Sequence, residues 1–283
     1  MKRGIRTQTT KEINVEWRFE NMSYQWDAAD YERHSSSQQQ WARDAIQALK
    51  LSGDERVLDI GCGDGKVTAE LAAHIPDGLV LGIDSSETMI EFANRRFPPA
   101  FFPNLQFRWG DATRLPYHHE FDLVVSFSSL HWISDHIAVL GGIKRVLKPP
   151  GCTLLQFGGQ GNAALISDVA NELTTDRRWK GYFVGFTYPW FFYSVEEYRG
   201  FISRVGLSPE RVELIPKDMV HDGKEALKGW VRTVFLPYTE RLPEALREDF
   251  VEQIAYTYIE RRPIDENGHV HVQMVRLEVQ ATL

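Results

Sequence analysis

Blocks of apolar residues separated by charged and glycine-rich breaks run through the middle of the chain, and their period alternates. Short apolar runs of four to seven residues read as buried strands, and the stretches between them carry the three-to-four spacing of helices. Val57–Ile60 predicts a first strand, followed by a helix over about Lys66–His74. Leu79–Ile83 predicts a second strand that ends at Asp84. Ser85 or Ser86 caps the next helix, which sets Met89, Ile90 and Ala93 on one face and stops at Pro98-Pro99. Leu105–Trp109 is the third strand, closing at Asp111, and Phe121–Phe127 is the fourth. A helix around Ile137–Leu147 follows, with Lys144, Arg145 and Lys148 at its end, where cations complement the helix dipole. Pro149-Pro150-Gly151 predicts a turn into a fifth strand, Cys152–Phe157. Strand and helix in strict alternation imply a parallel sheet with crossover helices, whose ligands sit at the carboxyl ends of the strands.

The flanks are patterned differently. Residues 1–22 are polar and mixed in charge and read as an N-terminal arm. A Ser/Gln run, Ser35-Ser36-Ser37-Gln38-Gln39-Gln40, then leads into a helix with Trp41, Ala45, Ile46 and Leu49 on one side. After the fifth strand, nine aromatic residues crowd into Trp179–Tyr193. This stretch predicts either the packed core of a cap or an apolar wall for a ligand. Val195–Arg204 reads as a helix capped by Ser194. Val212–Ile215, with Met219–His221, reads as a strand, and Glu225–Arg261 as a helical insertion. Asn267-Gly268 turns into an alternating run, His269–Ala281, that reads as the last strand. The fold expected is α/β: a doubly wound, mostly parallel seven-stranded sheet with a helical cap. Its division is an arm at 1–22, a core at 23–162, an aromatic-rich cap segment at 163–206, and closing strands at 207–283 with helices inserted at about 222–262.

The candidate chemistry centres on Asp59-Ile60-Gly61-Cys62-Gly63-Asp64-Gly65, where the first strand meets its helix. Glycines there let the backbone approach a ligand, and the helix start offers unpaired N–H groups. The spacing is not the dinucleotide G-x-G-x-x-G, because Lys66 stands where that pattern needs glycine, and no Gly-Lys-Ser/Thr closes a phosphate loop. Asp84, 23 residues beyond Gly61, is spaced to accept hydrogen bonds from ribose hydroxyls.

The order of Asp59 and the glycines, Asp84, Asp111, Phe121-Asp122-Leu123-Val124-Val125 and Val146-Leu147-Lys148-Pro149-Pro150-Gly151 resembles the motif series of the class I S-adenosylmethionine (SAM) methyltransferases. The resemblance spans about Val57 to Phe157. It implies a Rossmann-like core with SAM as cofactor. Asp59 would face the ammonium, Gly61 and Gly63 the amino acid end, and Asp84 with Ser85 the ribose. Asp111 with Ala112 would meet the adenine, and Phe127 with Ser128 the methionine part. Trp26 to Tyr31, Leu130-His131-Trp132 and Glu266-Asn267-Gly268 resemble the trans-aconitate methyltransferase group. Tyr31 with the Ser/Gln run, and Leu130-His131-Trp132, also resemble the insect juvenile hormone acid methyltransferases. Both methylate a carboxylate oxygen. The resemblance therefore implies Gln38 and Trp132 near an acceptor carboxylate, and Tyr31 and His34 near the cofactor. Gln38-Gln39-Gln40 departs from the basic residues of the trans-aconitate group, which argues against a small tricarboxylate.

His131 has two readings: a general base, if the acceptor arrives protonated, or a structural or substrate contact if it arrives as a carboxylate. C-, N- or hydroxyl-O-methylation of a natural product, and a SAM-binding protein without turnover, stay open beside the carboxylate reading. The scattered histidines tie to no metal motif, so no metal is expected. A net charge of −7 argues against nucleic acid as the partner, and a small-molecule acceptor is expected instead. Two cysteines without a C-x-x-C pair, no apolar run of membrane-spanning length and no apolar leader together predict a cytoplasmic protein.

Overall fold

The structure is a computed structural model that describes residues 36–283; the arm at 1–22, Tyr31 and His34 lie outside the described residues. Helix α1 (Ser36–Gln47) precedes five strands and three crossover helices: β1 (Arg56–Ile60), α2 (Lys66–Ala73), β2 (Leu79–Asp84), α3 (Glu87–Arg96), β3 (Leu105–Trp109), β4 (Phe121–Phe127), α4 (His136–Val146) and β5 (Leu147–Gly158). Then follow α5 (Ala164–Thr175), α6 (Val195–Val205), β6 (Ser208–His221), α7 (Gly223–Val234), α8 (Leu236–Thr239), α9 (Glu244–Arg261) and β7 (Val270–Thr282). The seven strands lie in the order β3-β2-β1-β4-β5-β7-β6. β1 to β5 run parallel, and β7 is antiparallel to both β5 and β6. The order reverses between β1 and β4, which opens a crevice at the ends of those strands.

Alternation within the strands sorts side chains to two faces. Leu58, Ile60, Leu81, Ile83, Val124 and Leu155 pack against α4 and α6 through Val139, Leu140, Ile143, Tyr198 and Ile202. Val57, Val80, Phe107, Leu123 and Val125 pack against α1, α2 and α3 through Ala45, Ile46, Leu71, Ile90 and Ala93. Ser194 and Glu197 cap α6 reciprocally: Ser194 Oγ accepts from the Glu197 N–H, and the Glu197 carboxylate accepts from the Ser194 N–H.

The cap grows from the sheet itself. β5 pairs with β7 only from Arg276 to Thr282, whereas β6 stays paired with β7 as far as Val270. The β6–β7 ribbon therefore projects beyond β5 by about six residues, or roughly 20 Å. Val270, Val272, Met274 and Met219 on that ribbon bury against Ile166, Trp179, Trp230, Phe250, Ile254 and Tyr258, which forms a third core. Lys228 ties α7 to α9 by ion pairs with Glu248 (2.9 Å) and Glu252 (3.0 Å), and Arg261 ties α9 to Glu172 of α5.

Two expected boundaries change. β6 is one strand of 14 residues rather than two pieces, and it contains Pro209 and Pro216. It lies at the edge of the sheet, where proline's missing N–H has no second neighbour to disappoint. Pro149-Pro150-Gly151 lies within β5, at a register shift opposite Phe121 and Leu123, rather than ahead of it. The inserted helices are three, α7 to α9, and α6 of the aromatic segment packs on the sheet face against α4.

Candidate functional site

A cavity of about 1130 Å³ opens at the crevice between β1 and β4 and runs under the cap. Single small-molecule sites commonly occupy about 300–1,000 Å³, so this one has room for two ligands side by side. Its lining divides accordingly.

One half is built from strand ends. Gly61 and Gly63 follow β1, Asp84 and Ser85 close β2, Trp109 and Asp111 close β3, and Phe127 closes β4. The N–H groups of Gly61 and Cys62 both donate to the Ile83 carbonyl, at 2.8 and 3.0 Å, so the glycine loop is tied to the end of β2. Gly61 has φ +75°, and a Cβ there would lie 1.8 Å from Ser129 Oγ. No side chain fits between the loop and the turn after β4. Gly63 has φ +54° and nothing within 4 Å of where its Cβ would stand, so this side of the loop faces the cavity bare.

Asp84 binds the loop and caps the next helix together. Oδ2 accepts from the Gly63 N–H at 3.0 Å and Oδ1 from the Ser86 N–H at 2.9 Å. Burial nonetheless raises its pKa above the usual carboxylate range, against those N–H bonds. Asp111 Oδ1 accepts from the backbone and the hydroxyl of Thr113, both at 2.8 Å, and starts the turn that carries Ala112.

Of the residues expected to meet a cofactor, Gly61, Gly63, Asp84, Ser85, Asp111, Ala112 and Phe127 share this wall. Asp59 does not. It lies one layer below, 2% exposed, with Oδ2 accepting from Thr68 Oγ1 at 2.7 Å. Loss of water, opposed by that hydrogen bond and reinforced by Asp84, pushes its pKa up to about 7. Asp59 thus supports the loop from beneath, because its strand position points it into the sheet–helix interface rather than along the strand axis. Gln38 lies on α1, where the described structure is its backbone alone.

The other half is aromatic. Trp41, Trp132, Trp190, Phe192, Trp230 and Phe235 wall it, with Met274 and Arg276 from β7. Trp190 meets Trp132 edge to face at 5.6 Å and stacks parallel to Phe192 at 6.2 Å. The aromatic stretch thereby divides between two tasks. Trp179 and Phe183 pack on Phe250 inside the cap, Tyr193 joins the sheet-side cluster, and Trp190 and Phe192 face the cavity. Trp230, Phe235, Met274 and Arg276 were not legible as site residues; they come from helix and strand patterns that read as ordinary packing.

Between the halves lies the turn after β4. Ser128 takes φ +55°, uncommon for a residue with a side chain, and such strain concentrates at functional sites. The chain then crosses the strand ends as Leu130-His131-Trp132. His131 Nδ1 accepts from the Gly158 N–H at 3.4 Å, which assigns the ring proton to Nε2. Loss of water, then the nearby charge of Arg276 and His136, push the His131 pKa down to about 3. The imidazole is neutral at physiological pH and a weak base.

Known proteins match this arrangement. A family model described as a methyltransferase domain fits residues 57–151. The chain is 32% identical over 255 residues to the juvenile hormone acid O-methyltransferase of Bombyx mori, an alignment covering 84% of this chain and 88% of that one. It is 27% identical over 258 residues to the trans-aconitate 2-methyltransferase of Methylobacterium nodulans, covering 89% and 96%. Among solved structures, the YcgJ protein of Bacillus subtilis shares the fold with a TM-score of 0.59 at 20% identity, over 85% of this chain and 97% of that one. A glycine loop bare toward the cavity, acids closing successive strands and kinship over most of the chain agree: the chain is a class I SAM-dependent methyltransferase, in the group of the trans-aconitate and juvenile hormone acid methyltransferases.

Proposed function

We propose that this enzyme methylates a carboxylate oxygen of a small, largely apolar acid. The observation that carries the reading is His131, the residue placed to act as a base, held neutral with a pKa near 3 beside an aromatic wall. A hydroxyl, amine or carbon acceptor sheds a proton as it is methylated and needs a base whose pKa lies near the working pH. A carboxylate is already ionised near neutrality, at a pKa of about 4, and needs only alignment and desolvation. The names of the relatives, both methyltransferases of an acid, support the same reading.

Bound SAM would supply an electrophilic methyl group carried on a positively charged sulfur. The residues of the first wall suit that ligand. Gly61 and Gly63 would take its amino acid end, Asp84 with Ser85 its ribose, Asp111 with Ala112 its adenine, and Phe127 would border the methionine chain. Asp59 would act on the ammonium through the loop, as a charge from below. Gln38 and Trp132 would position the acceptor carboxylate, and Tyr31 and His34 would lie near the cofactor. The aromatic half excludes water from the reacting oxygen. Its helices α5 and α7 to α9 would form a cap over a core completed by β6 and β7. None of the described helices is long and apolar enough to cross a membrane. The free thiols Cys62 and Cys152 suit a reducing cytoplasm, and the net charge of −7 suits a small-molecule acceptor rather than nucleic acid.

Incubating the purified chain with SAM and a panel of apolar carboxylic acids tests the reading. Mass spectrometry should find products one methyl heavier that mild alkali returns to the starting acid, as an ester must. A methylated product that survives alkali would assign an ether, amine or carbon acceptor instead.

A further inference from the structure

β5 and β7 stop pairing at Gly158 and Arg276, and the chain then turns away toward α5. One residue of that turn, Asn162, carries the ladder on with its side chain. The Gly159 N–H donates to the Val275 carbonyl at 2.9 Å, and the Val275 N–H donates to Asn162 Oδ1 at 3.0 Å. A donor on Oδ1 assigns the other end of the amide as Nδ2. Asn162 is 8% exposed and lines the cavity. Its Nδ2 has no partner among the described residues and, unlike the indole nitrogens of Trp190 and Trp230, is not sealed in the wall. A donor in such a surround is a cost unless water or a ligand takes it. The backbone is arranged for this placement. Asn162 stands between two left-handed residues, Gly161 at φ +84° and Ala163 at φ +48°. Glycine takes that conformation freely, but alanine is strained there, and such strain gathers at functional sites. Gly158 clears the space: a Cβ on it would lie 2.8 Å from Asn162 Nδ2 and 2.6 Å from Phe192 Cε1.

Gly158 also joins Asn162 to His131. Its N–H donates to His131 Nδ1, which leaves the ring proton on Nε2. Nε2 likewise has no partner among the described residues and is not sealed, and His131 lines the same cavity. The imidazole stays neutral at physiological pH, so this N–H is a donor without a charge. Two neutral donors, from the turn after β4 and the turn after β5, thus border one glycine. We propose that the Asn162 side-chain amide, with His131 Nε2 beside the same glycine, seats the acceptor carboxylate: Asn162 Nδ2 donates to one carboxylate oxygen and so selects an anionic head over a neutral one. Hydrogen bonds to a charged acceptor are about twice as strong as those between neutral groups, which gives the selection its sign. Holding one oxygen also aligns the other for attack. Asn162 would join Gln38 and Trp132 in this task. The inference rests on the carboxylate reading above and deepens it.

The test uses the full chain loaded with S-adenosylhomocysteine, with decanoate and decan-1-ol as probes, binding being followed by calorimetry. The wild type should bind decanoate at least about tenfold more tightly than decan-1-ol. Asn162→Asp keeps an acceptor for the Val275 N–H and exchanges the donor for a carboxylate oxygen. Decanoate should then weaken by about 100-fold through like-charge repulsion, while decan-1-ol and S-adenosylhomocysteine stay within about threefold. A residue that only holds the turn would lower stability and leave the preference for acid over alcohol as it was. Should the variant not fold, the wild type answers by nuclear magnetic resonance: a proton of the Asn162 amide should move further downfield with decanoate than with decan-1-ol. An acid preference kept in Asn162→Asp, or an Asn162 amide that responds alike to both probes, overturns the proposal and leaves the carboxylate reading standing. Equal binding of acid and alcohol by the wild type overturns both.

Discussion

The two halves of the cavity are assembled by opposite strategies. The half proposed for the cofactor takes each residue from the end of the strand that precedes it, and those named for it lie between Gly61 and Ser128. The half proposed for the acceptor draws its side chains from several distant elements: Trp41 from α1, Trp132 from the turn after β4, Trp190 and Phe192 from an irregular stretch, Trp230 from α7 and Arg276 from β7. The first is local and repeats a backbone rule; the second depends on how the projecting ribbon orients the cap. A ligand common to a large family can be served by backbone geometry, whereas a ligand particular to one group must be served by side chains. The halves should therefore fail separately when each is damaged.

The largest effect is expected at Gly61. In Gly61→Ala the new methyl would lie 1.8 Å from Ser129 Oγ and 2.3 Å from Ser129 Cβ, at a φ of +75°. Affinity for S-adenosylhomocysteine should fall more than about 100-fold, with a stability loss of about 2–4 kcal/mol from strain and clash. Calorimetry and thermal unfolding would read both. Adding Ser129→Gly removes the clash and leaves the φ, so recovery in the double variant measures how much of the loss is contact. Full affinity in the single variant would refute the packing of the loop against that turn.

The mirror experiment damages the other half. Trp190 is 5% exposed and packs on Trp132, Phe192, Phe235 and Tyr238. Trp190→Ala should cost about 3–5 kcal/mol of stability. Below its melting range, it should raise the acceptor KM by about 30-fold with S-adenosylhomocysteine affinity unchanged. Loss of cofactor affinity in this variant would mean that the halves are coupled and would blunt the contrast.

That contrast also explains what could be read from the chain. β1 to β4 and their helices follow from period and punctuation, because each crossover closes over nearby residues. β6 broke in the reading because Pro216 is a valid strand stop unless the strand is known to lie at an edge, and edge position is a property of the assembled sheet. Asp59 was legible as part of the motif but not as a residue beneath the wall, since the partner that holds it, Thr68, lies on the following helix. Arg276 carried a faint signal: with Glu278 it puts two charges on the strand face that begins with the apolar Val270, Val272 and Met274. Only the pairing of β7 between β5 and β6 shows that this face is interior.

A smaller effect separates the halves by pH. Asp59 has its folded pKa raised to about 7, so below that pH the carboxyl is largely protonated in the free protein. A ligand ammonium above the loop favours the ionised form, so binding releases a proton. Affinity for S-adenosylhomocysteine should rise with pH between about 5.5 and 7.5, by up to tenfold per unit at the lower end. Titrations in buffers of different ionisation heat would count the proton released. Asp59→Asn should flatten the profile. Binding of an apolar acid to the loaded enzyme should not follow it, because the wall on that side is aromatic and neighbouring His131, with its pKa near 3, stays neutral through that window.

The smallest effect on catalysis, and the sharpest for chemistry, is at His131. Removing a general base costs about 10²–10⁴ in rate, whereas removing a neutral wall residue costs several-fold at most. His131→Asn should lower kcat toward a carboxylate by less than about tenfold, and the rate should not follow a histidine titration between pH 5.5 and 8. Stability gives the complementary reading. The folded pKa is depressed from 6.5 to about 3, so between those values the unfolded chain binds the extra proton. The contribution of His131 is whole above about pH 6.5 and shrinks as pH falls, by up to about 1.4 kcal/mol per unit. His136, held near 4 by burial, adds a second such loss, while Asp59 gains stability over part of the same range and opposes them. The wild-type slope therefore mixes signs, and the difference between wild type and His131→Asn isolates one proton. That difference in slope should be present from about pH 4 to 6 and vanish above pH 7. A kcat lowered 1,000-fold, with the acid slope unchanged, would make His131 the base and return the acceptor to the protonated classes.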